Sequence, residues 1–249
     1  MTTKPPPSAA PGYAVKTAVF WARTQTARRL RRKGFKAGFA IFGVVLPLLQ
    51  MAFPAQVDLS ASFVVLGLVP LVSLLAGGGA LRDEIDDQTL TYSFIRPIGR
   101  AWVFRALVTS AMAPVVLITL PCVIVTTYPD GFNAMGAHVL AALLAIASYT
   151  TVFALAGQFT KRATALGCVY LFFWEAMVSS VPGFLGKLTL VTHVRAVAGI
   201  PTDTLPLPLD MFAPATPVSS ALVLVAVAAI AMFLGGVFIQ RREHAASAE

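Results

Sequence analysis

Residues 82–100, RDEIDDQTLTYSFIRPIGR, hold four acids and three arginines within nineteen positions. The chain has only 11 Asp and Glu in all, so over a third of them gather here, between GLVPLVSLLAGGGAL and VTSAMAPVVLITLPCVIV. Charges packed this densely beside apolar chain either stay in water or meet the charges of a partner. A leaflet-facing surface is commonly anionic, so four acids oppose lipid and favour a protein. Asp83, Glu84, Asp86 and Asp87 suit the first turn of a short helix, whose dipole is positive there. Pro97 disfavours helix at Arg96, so Arg96 and Arg100 fall at the other end, where cations are favoured. Ile85, Leu90, Tyr92 and Phe94 give such a helix something to bury. A solvated loop is the simpler alternative.

The second chemical candidate is Glu175, in YLFFWEAMVSS, the one acid placed inside an apolar span. Ionisable groups there are costly and mark a functional position by default. Thr164, Cys168, Glu175 and Ser179 follow spacings of four, seven and four, which puts them on one helical face. Three roles stay open for Glu175: accepting backbone hydrogen bonds from the segment that follows, lining a substrate path or gate with Ser179, or coupling to protons.

Other chemistry is not in view. No HExxH or GxSxG occurs, and no pair of acids lies within the spans, so a catalytic role is not expected. Cys122 and Cys168 sit in apolar stretches as small hydrophobes, and His138, His193 and His244 share no motif, so no metal or cofactor is expected on this chain. No GxxxxGK[ST] is present, so the chain has no phosphate-binding loop of its own.

The elements that must hold these residues are hydrophobic helices. The 249 residues are 57% hydrophobic and only 12% charged, with a mean hydropathy of +0.77, where a soluble domain carries roughly 25% charged residues. Several stretches reach the roughly 20 residues a helix needs to cross a bilayer. The pattern predicts an all-α polytopic membrane protein with six spans, near 35–53, 62–81, 103–127, 135–158, 163–182 and 218–239. Seventeen of the 19 Lys and Arg then fall on one side and only Lys187 and Arg195 on the other. The positive-inside bias makes both termini cytoplasmic, in a multi-pass protein of the cell (plasma or inner) membrane. It also accounts for the net charge of +8, so nucleic acid is not an expected partner.

Residues 1–12 are Pro-rich, lack the apolar core of a signal peptide and read as a disordered tail. Residues 13–33 are basic, and Val15, Val19, Ala22, Thr26 and Leu30 share a helical face with Lys16, Arg23, Arg28 and Arg31 elsewhere. An interfacial amphipathic helix with Trp21 at headgroup level is expected, the alternative being a disordered basic tail held by anionic lipid. The six-span domain then covers residues 34–240, and 241–249 form a cytoplasmic tail. Residues 183–217 make a long apolar outer segment. Its first part suits one or two short helices that enter the outer leaflet and return, and its second part, with five prolines, a turn-rich cap.

EIDDQTLTYSFIRPIGR resembles the signature of ABC-2 type transporter permeases, in which an acid-rich start precedes Arg-Pro and a following Ser/Gly-Arg. Glu84, Thr89, Leu90, Arg96, Pro97 and Arg100 match, while Gln88 stands where glycine is usual. The six-span plan, the basic helix before the first span, and Trp174-Glu175 with the segment after them are similar too. The resemblance implies that the 82–100 segment is a coupling helix between spans two and three. It would dock on a cytoplasmic ATPase, with two ATPase copies, ATP and Mg on those partners, and a second permease copy as a homodimer. It implies export. Alternatives of other classes are a secondary transporter or channel, which would work without an ATPase, and a membrane scaffold or assembly factor. No inverted repeat of the kind common in carriers is visible.

Overall fold

The computed structural model describes residues 11–52, 61–81, 84, 99–160, 162–179, 185–200 and 216–246. Among them there are helices, turns and short connections but no strand. We label the helices α1 (Pro11–Arg31), α2 (33–52), α3 (Ala61–Gly78), α4 (Arg100–Thr127), α5 (Phe132–Phe159), α6 (Ala163–Val178), α7 (Leu190–Ala198) and α8 (Pro217–Ala246).

Four of these are long and apolar enough to cross a membrane: α3, α4 with its short extension to Asp130, α5, and α8 as far as Gln240. This agrees with a membrane protein. The expected spans near 62–81, 103–127, 135–158 and 218–239 correspond to them, and α8 continues helically into the expected tail. The other two expected spans correspond to α2 and α6. Both are helices interrupted by π-type turns, Phe39–Val45 in α2 and Tyr170–Val178 in α6. The described part of α6 is 16 residues long.

α5 is the centre of the bundle. Ala141, Ala142, Ala145, Ile146, Tyr149, Phe153 and Ala154 are all buried, and most join a core with Val64, Val69 and Leu74 of α3, Val115 and Val123 of α4, Val194 of α7 and Leu224 of α8. The α3–α5 crossing is close because glycines make it so. A Cβ on Gly77 would lie 2.6 Å from the Thr150 carbonyl oxygen, and one on Gly157 would lie 2.9 Å from that of Gly78. Small residues at such crossings let backbones touch, which is how helices gain packing energy where lipid offers no hydrophobic drive. α8 presents Val218, Leu222, Val225, Ile230 and Phe233 outward, as a helix does when its surroundings are hydrocarbon.

Pro114 and Pro121 lie within α4. Each removes a backbone donor, and membrane helices tolerate this when neighbouring groups re-satisfy the backbone. Hydroxyls of Thr109, Ser110, Thr119, Thr126 and Thr127 bond to carbonyls three or four residues back along the same helix.

α1 packs along α4 and contributes Trp21 to a second core with Ala80, Phe104, Leu107 and Ile239. Proline suits the first turn of a helix, and α1 starts at Pro11, inside the expected tail. It stops at Arg32, whose extended ψ of 141° separates it from α2. From Val15 onward the buried residues of α1 are Ala18, Gln25 and Arg29, while Val15 and Val19 are exposed. The face that packs on protein is therefore rotated by about 80° from the apolar stripe of the sequence, at 3.6 residues per turn. Val15, Val19 and Phe20 are left on the outside.

Candidate functional site

Glu175 is the best-developed polar centre among the described residues. It is 3% exposed. Its Oε1 accepts the Leu190 N–H at 3.2 Å and its Oε2 accepts the Val191 N–H at 2.8 Å. The Tyr170 hydroxyl donates to Oε1 at 2.5 Å. Leu190 and Val191 are the first two residues of α7, whose backbone donors have no partner within the helix. Thr189 stands at the N-cap position, but its hydroxyl bonds the Gly186 carbonyl and the Thr192 hydroxyl instead. A carboxylate from another helix thus supplies the cap, and its negative charge lies at the positive end of the α7 dipole.

The π turn makes this arrangement possible. Tyr170 and Glu175 are five residues apart, and in an α-helix they would point about 140° away from each other. The wider i→i+5 bonding of a π turn brings them to one side. The expected polar stripe is not buried as a unit: Cys168 and Ser179 are partly buried, but Thr164 is exposed. Ser179 caps the end of α6 and donates to the Ala176 carbonyl at 3.3 Å. The buried Tyr149 hydroxyl has no hydrogen-bond partner among the described residues.

α7 is held from a second direction by His193. Its Nε2 lies 3.0 Å from the Lys187 carbonyl oxygen and its Nδ1 lies 3.2 Å from the Ser220 hydroxyl at the start of α8. A carbonyl can only accept, so Nε2 carries a proton and donates to Lys187. Gly199, with φ of +70°, closes α7 in the left-handed region, and the Ile200 N–H bonds the Arg195 carbonyl at 3.1 Å. Among its described residues, the segment after α6 therefore contains one short 3-10 turn, Gly186–Leu188, and one helix that folds back on the bundle. Of the expected proline-rich cap, 201–217, residues 201–215 lie outside the described residues and Pro217 opens α8.

Of the three roles the sequence left open for Glu175, the geometry supplies the first, anchoring the following segment. Tyr170, Thr189 and Ser220 were not legible in the sequence, and His193 only as an isolated histidine. Glu175 and Ser179 also border a cavity of about 480 Å³ between α2, α3, α6 and α7.

Of the acid-rich segment 82–100, Glu84, Gly99 and Arg100 are among the described residues. Asp83, Asp86, Asp87, Thr89, Leu90, Arg96 and Pro97 lie outside the described residues. Glu84 is helical and 3% exposed. Arg100 opens α4 behind Gly99, so it belongs to the next helix and not to the end of a coupling helix as the sequence suggested. Just before the segment, Arg29 of α1 donates from Nη2 to the Ala80 carbonyl at 2.8 Å. A buried cation at the carbonyl end of α3 complements that helix's dipole and ties α1 to the chain entering the segment.

No protein-family model matches the chain, and no curated protein matches it.

Proposed function

We propose that this chain is the membrane-spanning permease subunit of an ATP-binding cassette exporter of the ABC-2 type, without catalysis of its own. The observation that carries the reading is the sequence of residues 84–100, whose Glu84, Thr89, Leu90, Arg96, Pro97 and Arg100 match that family's signature. α2 and α6 complete six spans, and both termini are cytoplasmic in the cell membrane. The 82–100 segment docks on a cytoplasmic ATPase, and ATP and Mg are bound by two copies of that partner. The Arg29–Ala80 bond supports a mechanical role for α1: a push on the segment reaches α1 through a buried contact. Two permease copies then switch together between two packed arrangements, because packed interfaces are bistable more than they are elastic.

The test is affinity purification of tagged protein from membranes in mild detergent, beside a variant with Asp87→Arg and Arg96→Glu. A stoichiometric P-loop ATPase held by the wild type and lost from the variant upholds the reading. Wild-type protein that comes down alone in several detergents removes it, and a secondary transporter, a channel or a scaffold then takes its place.

A further inference from the structure

The cavity of about 480 Å³ falls within the roughly 300–1,000 Å³ typical of small-molecule pockets, and its walls are unusual in one respect. Phe42, Leu71 and Phe172 give it an apolar lining, and its polar groups are Glu175, Ser179 and Arg195. Glu175 already accepts three hydrogen bonds, and the Ser179 hydroxyl is bonded to Ala176. Arg195 differs. Its Nε is buried with no hydrogen-bond partner, and its guanidinium makes no ion pair among the described residues. A cation in an apolar wall is costly unless something pairs with it.

We infer that the cavity binds an anionic amphiphile, with a single hydrocarbon chain against the apolar lining and its negative head on the Arg195 guanidinium. The chemistry sets the class. An apolar wall selects hydrocarbon, a partly buried guanidinium selects carboxylate or phosphate, and an engaged Glu175 leaves little for a cationic head. The site does not depend on the permease reading, because it belongs to this chain alone and needs no ATPase.

The test is native mass spectrometry of the detergent-purified full chain titrated with oleate, oleyl alcohol and oleylamine, which share one chain and differ in head charge. Oleate should bind about tenfold more tightly than the alcohol, the size of effect a charge-assisted hydrogen bond brings. Arg195→Gln should bring oleate down to the alcohol's level and leave the alcohol unchanged, and Arg195→Lys should keep part of the preference. Gly67 lines the cavity, and a Cβ there meets only the Phe63 ring at 3.8 Å, so Gly67→Leu should weaken oleate and alcohol alike. Dioleoylphosphatidylglycerol beside dioleoylphosphatidylcholine separates the sources: selective binding of the former assigns a lipid headgroup, and oleate alone a free fatty acid. The proposal is overturned if oleylamine binds as tightly as oleate, if Arg195→Gln leaves oleate unchanged or weakens all three ligands equally, or if Gly67→Leu changes nothing.

Discussion

Tyr170 donates to Glu175 from five residues earlier in the same helix, a pairing that only a π-bonded turn allows. The carboxylate so oriented then caps α7 through the Leu190 and Val191 amides. One local irregularity of α6 thereby fixes the position of a separate helix.

The Glu175 anchor predicts a graded loss of stability. Glu175→Ala leaves two buried N–H groups unpaired and should cost about 2–6 kcal/mol, given about 1–3 kcal/mol for each unsatisfied group. Tyr170→Phe removes one hydrogen bond and should cost about 1 kcal/mol. Thermal unfolding in detergent measures both. The double variant should fall short of the sum, because the two side chains share one network.

His193 and Ser220 should act as a pair on α7 alone. His193→Ala frees α7 from α8 and should speed amide hydrogen exchange across 190–198, while exchange in the middle of α5 stays slow. Ser220→Ala should produce part of the same effect, and the double variant no more than His193→Ala by itself. Exchange that rises evenly over the bundle would show that the clasp is not local.

The α3–α5 crossing has no space at Gly77. Gly77→Leu drives a side chain into the Thr150 carbonyl and should destabilise by about 1–3 kcal/mol or more, the range for overpacking. Gly67→Ala in the same helix meets only Phe63 at ordinary contact distance and should be neutral or stabilising by up to about 1 kcal/mol. Denaturation midpoints of the two variants test the contrast.

Helical periodicity located the long apolar helices well, because a span of twenty apolar residues is a strong signal over many positions. It located faces less well. In α1 the stripe of Val15, Val19 and Ala22 was visible, but the buried face is set by Ala18, Gln25 and Arg29, two of which are polar, and Arg29 meets a partner distant in sequence. In α6 a 3.6-residue period hid the Tyr170–Glu175 pair, since the π turn changes the period itself. Glu175 was legible because a lone acid in an apolar span is rare, whereas its donors are backbone amides and leave no trace in residue type. Arg195 was legible only as a cation in a loop, and its place at the cavity depends on how α7 folds back.

Arg29 should matter beyond its own bond. Arg29→Ala removes the bond to Ala80 and should cost about 1.5–3 kcal/mol, the value of hydrogen bonds to charged groups. On the permease reading it should also weaken retention of the ATPase in pull-downs, and Arg29→Lys should restore part of it.

The most direct test of the proposed coupling is photo-crosslinking in intact cells from a photoreactive residue placed at Asp87. A second residue at Leu222, on the exposed face of α8, serves as the control. The account predicts a crosslink from position 87 to a soluble ATPase that carries a P-loop, and none from position 222. Crosslinks from position 87 to lipid alone, or to proteins without a nucleotide-binding site, would contradict it.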